Sequence, residues 1–205
     1  MNDVTNMPPE GTPEYDEMMK VHYGDNYEFG FRVGFGKRLL AHIIDFIILA
    51  IVGSIVMAMM GYIDILSNFV NEFMATQDFS VFEDMETALD GFTPVSILIY
   101  FLYYSLEIFM GASVGKLLLG LKIGNEDRTE ATTNPLFKRY IIKHSDRVFT
   151  LLGIITTVFI FNLFSSLLVL TLVVGFFFTL SLKRQAFHDS LSKTAVFHKN
   201  NFKQA

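Results

Sequence analysis

The stretch GKRLLAHIIDFIILAIVGSIV, residues 36–56, begins as a membrane helix begins, yet it carries Arg38, His42 and Asp45. Spacings of four and three put the three ionisable side chains on one helix face. Asp45 lies seven residues beyond Arg38, about 10 Å along the axis, below the headgroups but short of the midplane. An Asp at the centre of a spanning helix costs roughly 2.5–3.5 kcal/mol to insert, and less near an end. Such residues face the bundle interior and find partners there. Ala50, Ser54 and Ala58 form a different face of small residues, suited to close helix packing.

The rest of the chain supports a membrane reading. It has 205 residues, room for one modest domain, with an apolar fraction of 51% and 22 Phe. Its mean hydropathy of +0.40 is high for a soluble protein. Leu39 to Met60 has His42 and Asp45 as its only strongly polar members, Pro94 to Ala112 has one charge at Glu107, and Val148 to Leu182 has none. A span needs roughly 20 apolar residues. As one helix the last run would extend about 52 Å, far beyond a ~30 Å hydrocarbon core. It reads as two short passes turning near Asn162 to Ser166. The expected fold is an all-α membrane protein of about four transmembrane helices, at about 39–60, 94–112, 148–162 and 166–182.

Charge sorts by segment. Residues 61–93 hold seven acids and no Lys or Arg, whereas residues 113–147 hold Lys116, Lys122, Arg128, Lys138, Arg139, Lys143 and Arg147. The segment after Leu182 is basic apart from Asp189. Positive charge near span ends marks the cytoplasmic side. Residues 61–93 are thus expected as an outer loop, 113–147 as a cytoplasmic segment, and both termini inside. Lys116, Lys138, Arg139, Lys143 and Arg147 are expected to face anionic lipid headgroups. Within the cytoplasmic segment, residues 120–131 read as a short strand and turn. Residues 133–147 read as an amphipathic helix, with Asn134 as cap and Pro135 at its first position. Residues 1–26, acidic and Pro-containing without a basic n-region, read as a flexible tail rather than a cleavable signal peptide. Residues 27–199 form the membrane domain, and 200–205 a short C-terminal tail.

The absence of Cys excludes disulfides, thiol catalysis and Cys-ligated metal. GASVGK at 111–116 has one residue too few between its glycines for a phosphate-binding loop, and Leu117 stands where that loop needs Ser or Thr. No metal site or nucleic-acid-reading pattern is visible. His188–Asp189 has no second ligand pair at metal spacing. The chain reads as a non-enzyme without a cofactor.

In the second span, Ser96, Tyr100, Tyr103, Glu107 and Gly111 recur along one side. Glu107 lies at much the same depth as Asp45. Two readings of these charges stand together. One is an ion- or proton-handling pocket of Asp45, Glu107, His42 and tyrosine hydroxyls, with Arg38 above it. The other is a packing device, in which Arg38 neutralises Asp45 and Glu107 pairs with Lys116 or reaches the interface.

Three blocks carry a resemblance. GKRLLAHIIDFIIL opens the first span with Arg38 and Asp45, GASVGKLLLGLKI follows the second, and FHDSLSKTAVF carries Asp189 after the last. Over roughly residues 30–197 the chain resembles the RDD family of bacterial membrane proteins, named for an Arg and two Asp. Phe187 and Ser192 depart from the usual pattern, and the outer loop is longer. The resemblance implies that Asp189 returns to the cytoplasmic mouth beside Arg38 and Asp45, in the inner membrane. Similarity to members proposed to exchange sodium for protons implies monovalent cation/proton transport at a cluster of Arg38, His42, Asp45, Glu107 and Asp189. So small a chain would act as a homo-oligomer. The alternative is a scaffold or accessory subunit that binds a membrane partner protein.

Overall fold

The computed structural model describes Pro8 and residues 12–203. The part of the expected N-terminal tail formed by residues 1–7 and 9–11 lies outside the described residues. Three helices are long and apolar enough to cross a membrane: Phe35–Met59, Thr93–Met110 and Phe159–Leu180. The first is α3 (Phe35–Met59), whose few buried positions include Arg38, Ala41 and Asp45. The second is made of α6 (Thr93–Tyr104) and α7 (Leu106–Met110), interrupted at Ser105. Ser105 Oγ donates to the Leu102 carbonyl at 2.7 Å, a back-bond of the kind that bends helices.

The last apolar run folds as α10 (Ser145–Thr156) and α11 (Phe159–Phe177), packed as a hairpin. Its turn lies at Thr157–Val158, not at Asn162–Ser166 as expected. The physical reason is a fit between the two helices. Asn162 sits inside α11 against Gly153 of α10, where an added Cβ would stand 2.2 Å from Asn162 Oδ1. Ser165 Oγ donates to the Asp146 carbonyl at 2.9 Å and lies 2.7 Å from Thr150 Oγ1. Polar residues that look like a turn in sequence are thus the seam between two helices. At 1.5 Å per residue α10 is about 18 Å long, less than a full passage.

Residues 61–93 contain an amphipathic pair, α4 (Tyr62–Thr76) and α5 (Val81–Leu89), joined by contacts among Phe73, Phe79 and Phe82.

At the end where α3 begins, a small sheet gathers the chain. β1 (Leu121–Asn125) pairs antiparallel with β2 (Thr194–His198), with Ile123 opposite Val196. Val33 donates its N–H to the Val196 carbonyl at 2.8 Å, tying the entry of α3 to the sheet. The expected strand is therefore present, with a partner from the far end of the chain. β2 is covered on both faces. Val196 packs with Val33, Ala41, Leu121, Ile123 and Leu136, while Ala195 and Phe197 pack with Tyr15 and Phe31.

Tyr15 belongs to α1 (Pro13–Tyr23), so residues 13–23 are a docked helix rather than a flexible tail. Thr12 caps it by accepting from the Tyr15 N–H, and Pro13 starts it. Asp16 pairs with the buried Arg128, whose guanidinium lies 4.0 Å from the Phe31 ring centre. A four-residue helix, α2 (Tyr27–Gly30), links α1 to α3.

Three further short helices complete the chain. They are α8 (Val114–Leu118), α9 (Thr133–Lys143) and α12 (Phe187–Leu191). The cap of α9 is Thr132, two residues before the expected Asn134, which lies inside the helix with Pro135.

Candidate functional site

The charged residues of α3, α7, α8, α9 and α12 meet where the spans join the sheet. Arg38 donates Nε to the Val33 carbonyl and Nη2 to the Arg184 carbonyl, each at 2.8 Å. Its Nη1 pairs with Asp189. Asp189 is fully buried and accepts a second bond from Arg139 Nε at 2.7 Å. It also accepts from the Ala186 N–H at 3.3 Å, which holds the start of α12. Arg139 then reaches Glu107, Nη1 to Oε2 at 2.5 Å. Glu107 is shared further with Lys116 and with Lys143, the latter at 2.9 Å. The result is one continuous chain of ion pairs in which four cations meet two carboxylates.

Asp45 stands apart from the ion pairs. Its carboxylate accepts from Tyr103 Oη at 2.6 Å, Ser113 Oγ at 2.6 Å and the Gly115 N–H at 2.7 Å. These are three neutral donors, so Arg38 does not neutralise Asp45. The packing device expected from sequence holds in its second half alone, because Glu107 does pair with Lys116. Asp45 closes the open N-terminus of α8, where Ser113 makes no cap of its own. Gly115 approaches so closely that an added Cβ would lie 2.3 Å from the Ala41 carbonyl oxygen.

His42 shares the α3 face but lies outside the ion pairs. Its ring packs edge-on to Phe176 of α11 at 5.4 Å. It lines a cavity of about 400 Å³ with Lys143, Asp146 and His188. The tyrosines also divide their work, Tyr103 serving Asp45 and Tyr100 binding His144 Nδ1 at 3.0 Å.

Lys116, Arg139 and Lys143 were expected to face lipid, and the structure corrects this. Their side chains are 3%, 3% and 8% exposed, because all three answer Glu107. Lys138 and Arg147 are exposed. Arg147 lies over the Tyr100 ring at 5.3 Å.

His144 was not singled out in the sequence. It is fully buried at the α9–α10 junction, among the rings of Tyr100, Tyr104 and Tyr140. A lone His in HSDR carries little signal, since two of its three ring partners, Tyr100 and Tyr104, come from the distant helix α6.

Burial sets the titration of the members outside the spans. It pushes Lys116 down to about 7, against the pull of Glu107, and Lys143 and Arg139 add to the fall. Burial alone would raise the Asp189 carboxyl, but Arg139 and Arg38 hold it well below the usual carboxylate range. Burial pushes His188 down to about 3 despite Asp189, helped by Arg139, Lys143 and Arg38. Arg139 Nη2 lies 3.2 Å from His188 Nε2, so the neutral ring accepts there. The 3.3 Å approach of that nitrogen to Asp189 is then a contact between acceptors, not an ion pair.

His188 has a consequence for pH. Between about 6.5 and about 3 the unfolded chain binds a proton that the fold refuses, so stability falls as pH falls. At about 1.4 kcal/mol per unit, acidification from pH 7 to pH 4 is expected to remove roughly 3 kcal/mol. Thermal denaturation across that range in wild type and His188→Gln tests this. The variant's curve should be flatter, and parallel curves would remove His188 as the cause.

The apolar helices and this charged mouth define a helical membrane protein built around a buried ion-pair cluster. The chain belongs to the RDD family, which it matches over residues 32–193. Arg38, Asp45 and Asp189 are the residues on which the resemblance rested. No curated protein and no solved structure matches the chain.

Proposed function

We propose that the protein couples proton movement to transport of a monovalent cation across the bacterial inner membrane. In this reading it is multi-pass with both termini cytoplasmic, and α10 forms a short third passage with α11 as the fourth. Charge supports the orientation, because Lys and Arg flank the spans at the sheet end while residues 61–93 have neither.

One observation carries the site. Glu107 is shared by three cations, Lys116, Lys143 and Arg139, so the cluster holds more positive charge than its carboxylate neutralises. Lys116 is the group brought to about 7 by burial, and it is the proton donor in this reading. When Lys116 loses its proton, Glu107 loses an ionic partner, and a monovalent cation restores the charge. One proton leaves and one cation enters, with the cluster's charge unchanged. The cavity lined by His42, Lys143, Asp146 and His188 provides the approach. Arg38, Arg139 and Asp189 hold the helices around it. Alternating access in so small a chain entails a homo-oligomer.

The test is sodium-driven collapse of an imposed pH gradient in proteoliposomes. Lys116→Met leaves Arg139 and Lys143 on Glu107 and is expected to fold. Its initial rate should fall at least about tenfold, the factor that 1.4 kcal/mol represents. A silent wild type, shown to be folded and inserted, would overturn the exchange reading. So would an unchanged Lys116→Met.

A second reading, an accessory subunit, draws on the α4–α5 pair. There Phe79 and Phe82 are exposed beside Glu83 and Asp84. It expects deletion of residues 62–90 to release a co-purifying partner.

A further inference from the structure

Beside the ion-pair cluster, on the same side of the membrane, lies a separate cleft of about 580 Å³. Its walls come from the segment entering α3, the chain just after α11 (Thr179, Leu180 and Arg184), and the end of β2 with Asn201. Arg32, Lys37, Arg184 and His198 line it, and no acidic residue does. We infer that this cleft binds a phosphate group, and that its occupant is the headgroup of an anionic phospholipid.

Four observations carry the assignment. Lys37 and Arg184 form no ion pair among the described residues, unlike the buried cations of the neighbouring cluster. Both are nevertheless held in place. Lys37 Nζ lies 3.0 Å from His198 Nε2, and Arg184 Nη1 donates to the Gly30 and Arg32 carbonyls at 3.1 and 3.3 Å. Two cations fixed at one wall without a counter-charge make a site for an anion. Arg is suited to phosphate through its planar fork.

The second observation is Arg32. The residue is buried, 5% exposed, and its guanidinium is spread over neutral acceptors: the Lys183 and Glu126 carbonyls and Gln185 Oε1. No carboxylate bonds to it directly among the described residues; Glu126, Glu28 and Asp189 act on it only from a distance. Glu126 takes Gln185 rather than Arg32 through its carboxylate.

The third is the start of α3. This helix has 25 residues, begins after Gly34 without a side-chain cap, and has no acid in its first turn. Its N–H groups and dipole therefore favour an anion placed in the cleft. Gly34 and Gly36 line the same space. Neither has a positive φ, and a Cβ on either would meet nothing in the protein within 4 Å. Packing and backbone conformation do not require glycine here, whereas close approach of a ligand to the backbone does.

The fourth is position. Phe35 begins one span and Leu180 ends another, and both line the cleft. Leu180 is 66% exposed. A ligand here has its anion at the cations and its remainder against the span ends. That arrangement fits a phosphodiester carrying acyl chains better than a free ion.

The experiment uses the full chain, purified in a nonionic detergent and stripped of lipid. Phosphatidylglycerol, phosphatidylcholine and inorganic phosphate are titrated separately, with binding followed by native mass spectrometry and thermal stability. Wild type is expected to bind phosphatidylglycerol at least about tenfold more tightly than phosphatidylcholine, a difference of 1.4 kcal/mol. Lys37→Gln with Arg184→Gln should abolish that preference, while Lys138→Gln, on exposed α9 surface, should keep it. Arg184 also braces the entry to α3, so Lys37→Gln alone and Gly36→Ala provide variants that leave those braces intact. Gly36→Ala is expected to bind phosphatidylglycerol several-fold more weakly without loss of thermal stability. Equal binding of the two lipids by wild type, or an unchanged preference in Lys37→Gln and Gly36→Ala, would overturn the site. Saturation by inorganic phosphate, with phosphatidylglycerol adding nothing, would overturn the lipid as its occupant.

Discussion

Arg139→Gln is expected to remove most folded protein from the membrane. Among the described residues, Arg139 is the one side chain that bonds to both Asp189 and Glu107, at 2.7 and 2.5 Å. Its loss leaves Asp189 with Arg38 alone and separates the α3–α12 half of the cluster from the α7–α8 half. Breaking a buried pair by removing one partner costs about 3–5 kcal/mol, because the remaining charge is left in a low dielectric. Here two carboxylates lose a partner at once, so the effect belongs at the upper end. That is a large share of a total stability of roughly 5–15 kcal/mol. The monodisperse fraction after extraction in mild detergent, and the melting temperature of what survives, measure it. Arg139→Lys should be intermediate, since it keeps the charge but cannot bridge two carboxylates with a planar fork. A melting temperature for Arg139→Gln within a degree or two of wild type would mean that the cluster does not hold the helices together.

Gly115→Ala is the second large effect. The added methyl would lie 2.3 Å from the Ala41 carbonyl oxygen and 2.8 Å from Asp45 Oδ1. The first of these is backbone inside a spanning helix and cannot turn aside, so α8 has to retreat. Retreat breaks the 2.7 Å bond from the Gly115 N–H to Asp45 and loosens the 2.6 Å bond from Ser113. Overpacking costs about 1–3 kcal/mol, and each buried polar group left unsatisfied costs about 1–3 more. The control is Gly53→Ala in the same membrane helix as Asp45, where a Cβ meets nothing within 4 Å. It should be neutral or slightly stabilising, because alanine is the better helix former. Comparable melting temperatures for the two variants would show that α8 has freedom the contacts deny it. The same geometry changes what Asp45→Asn tests. Its amide NH₂ would replace one acceptor among three donors, so reduced stability is expected, and loss of activity in that variant would not identify an ion path.

Much of this architecture is legible in the sequence, because it follows from local properties. Length and apolarity identify the spans near 39–60 and 94–112. Spacings of three and four put Arg38 with Asp45, and Tyr103 with Glu107, on inward faces, and burial of a charge demands a partner. α1 carried readable signals too, in Thr12-Pro13 followed by acids and in Tyr15, Met18 and Met19 at helical spacing. An acidic average concealed them. Tyr15 is the anchor, and its value depends on a β2 face more than a hundred residues away.

The partners themselves were decided by tertiary structure. Local spacing left open that Arg38 answers Asp45, and only the family resemblance implied Asp189 beside them; Arg38 pairs with Asp189, and Asp45 takes the hydroxyls of Tyr103 and Ser113 and the Gly115 N–H. The basic residues of 113–147 suggested a lipid-facing surface, yet Lys116, Arg139 and Lys143 turned inward to Glu107. Composition reports that a charge is present and roughly how deep it lies. It does not report which opposite charge comes within 3 Å, since that depends on how α8, α9 and α12 are folded back onto the ends of the spans. The Asn162–Ser166 stretch teaches the same point, because a polar residue ends a helix only when no neighbouring helix offers it a seam. Which residues must be buried and paired was thus a matter of sequence, set by the cost of polarity in lipid. With whom they pair was a matter of three-dimensional closure, in which a two-stranded sheet brings residue 196 to residue 33 and so carries Asp189 to Arg38.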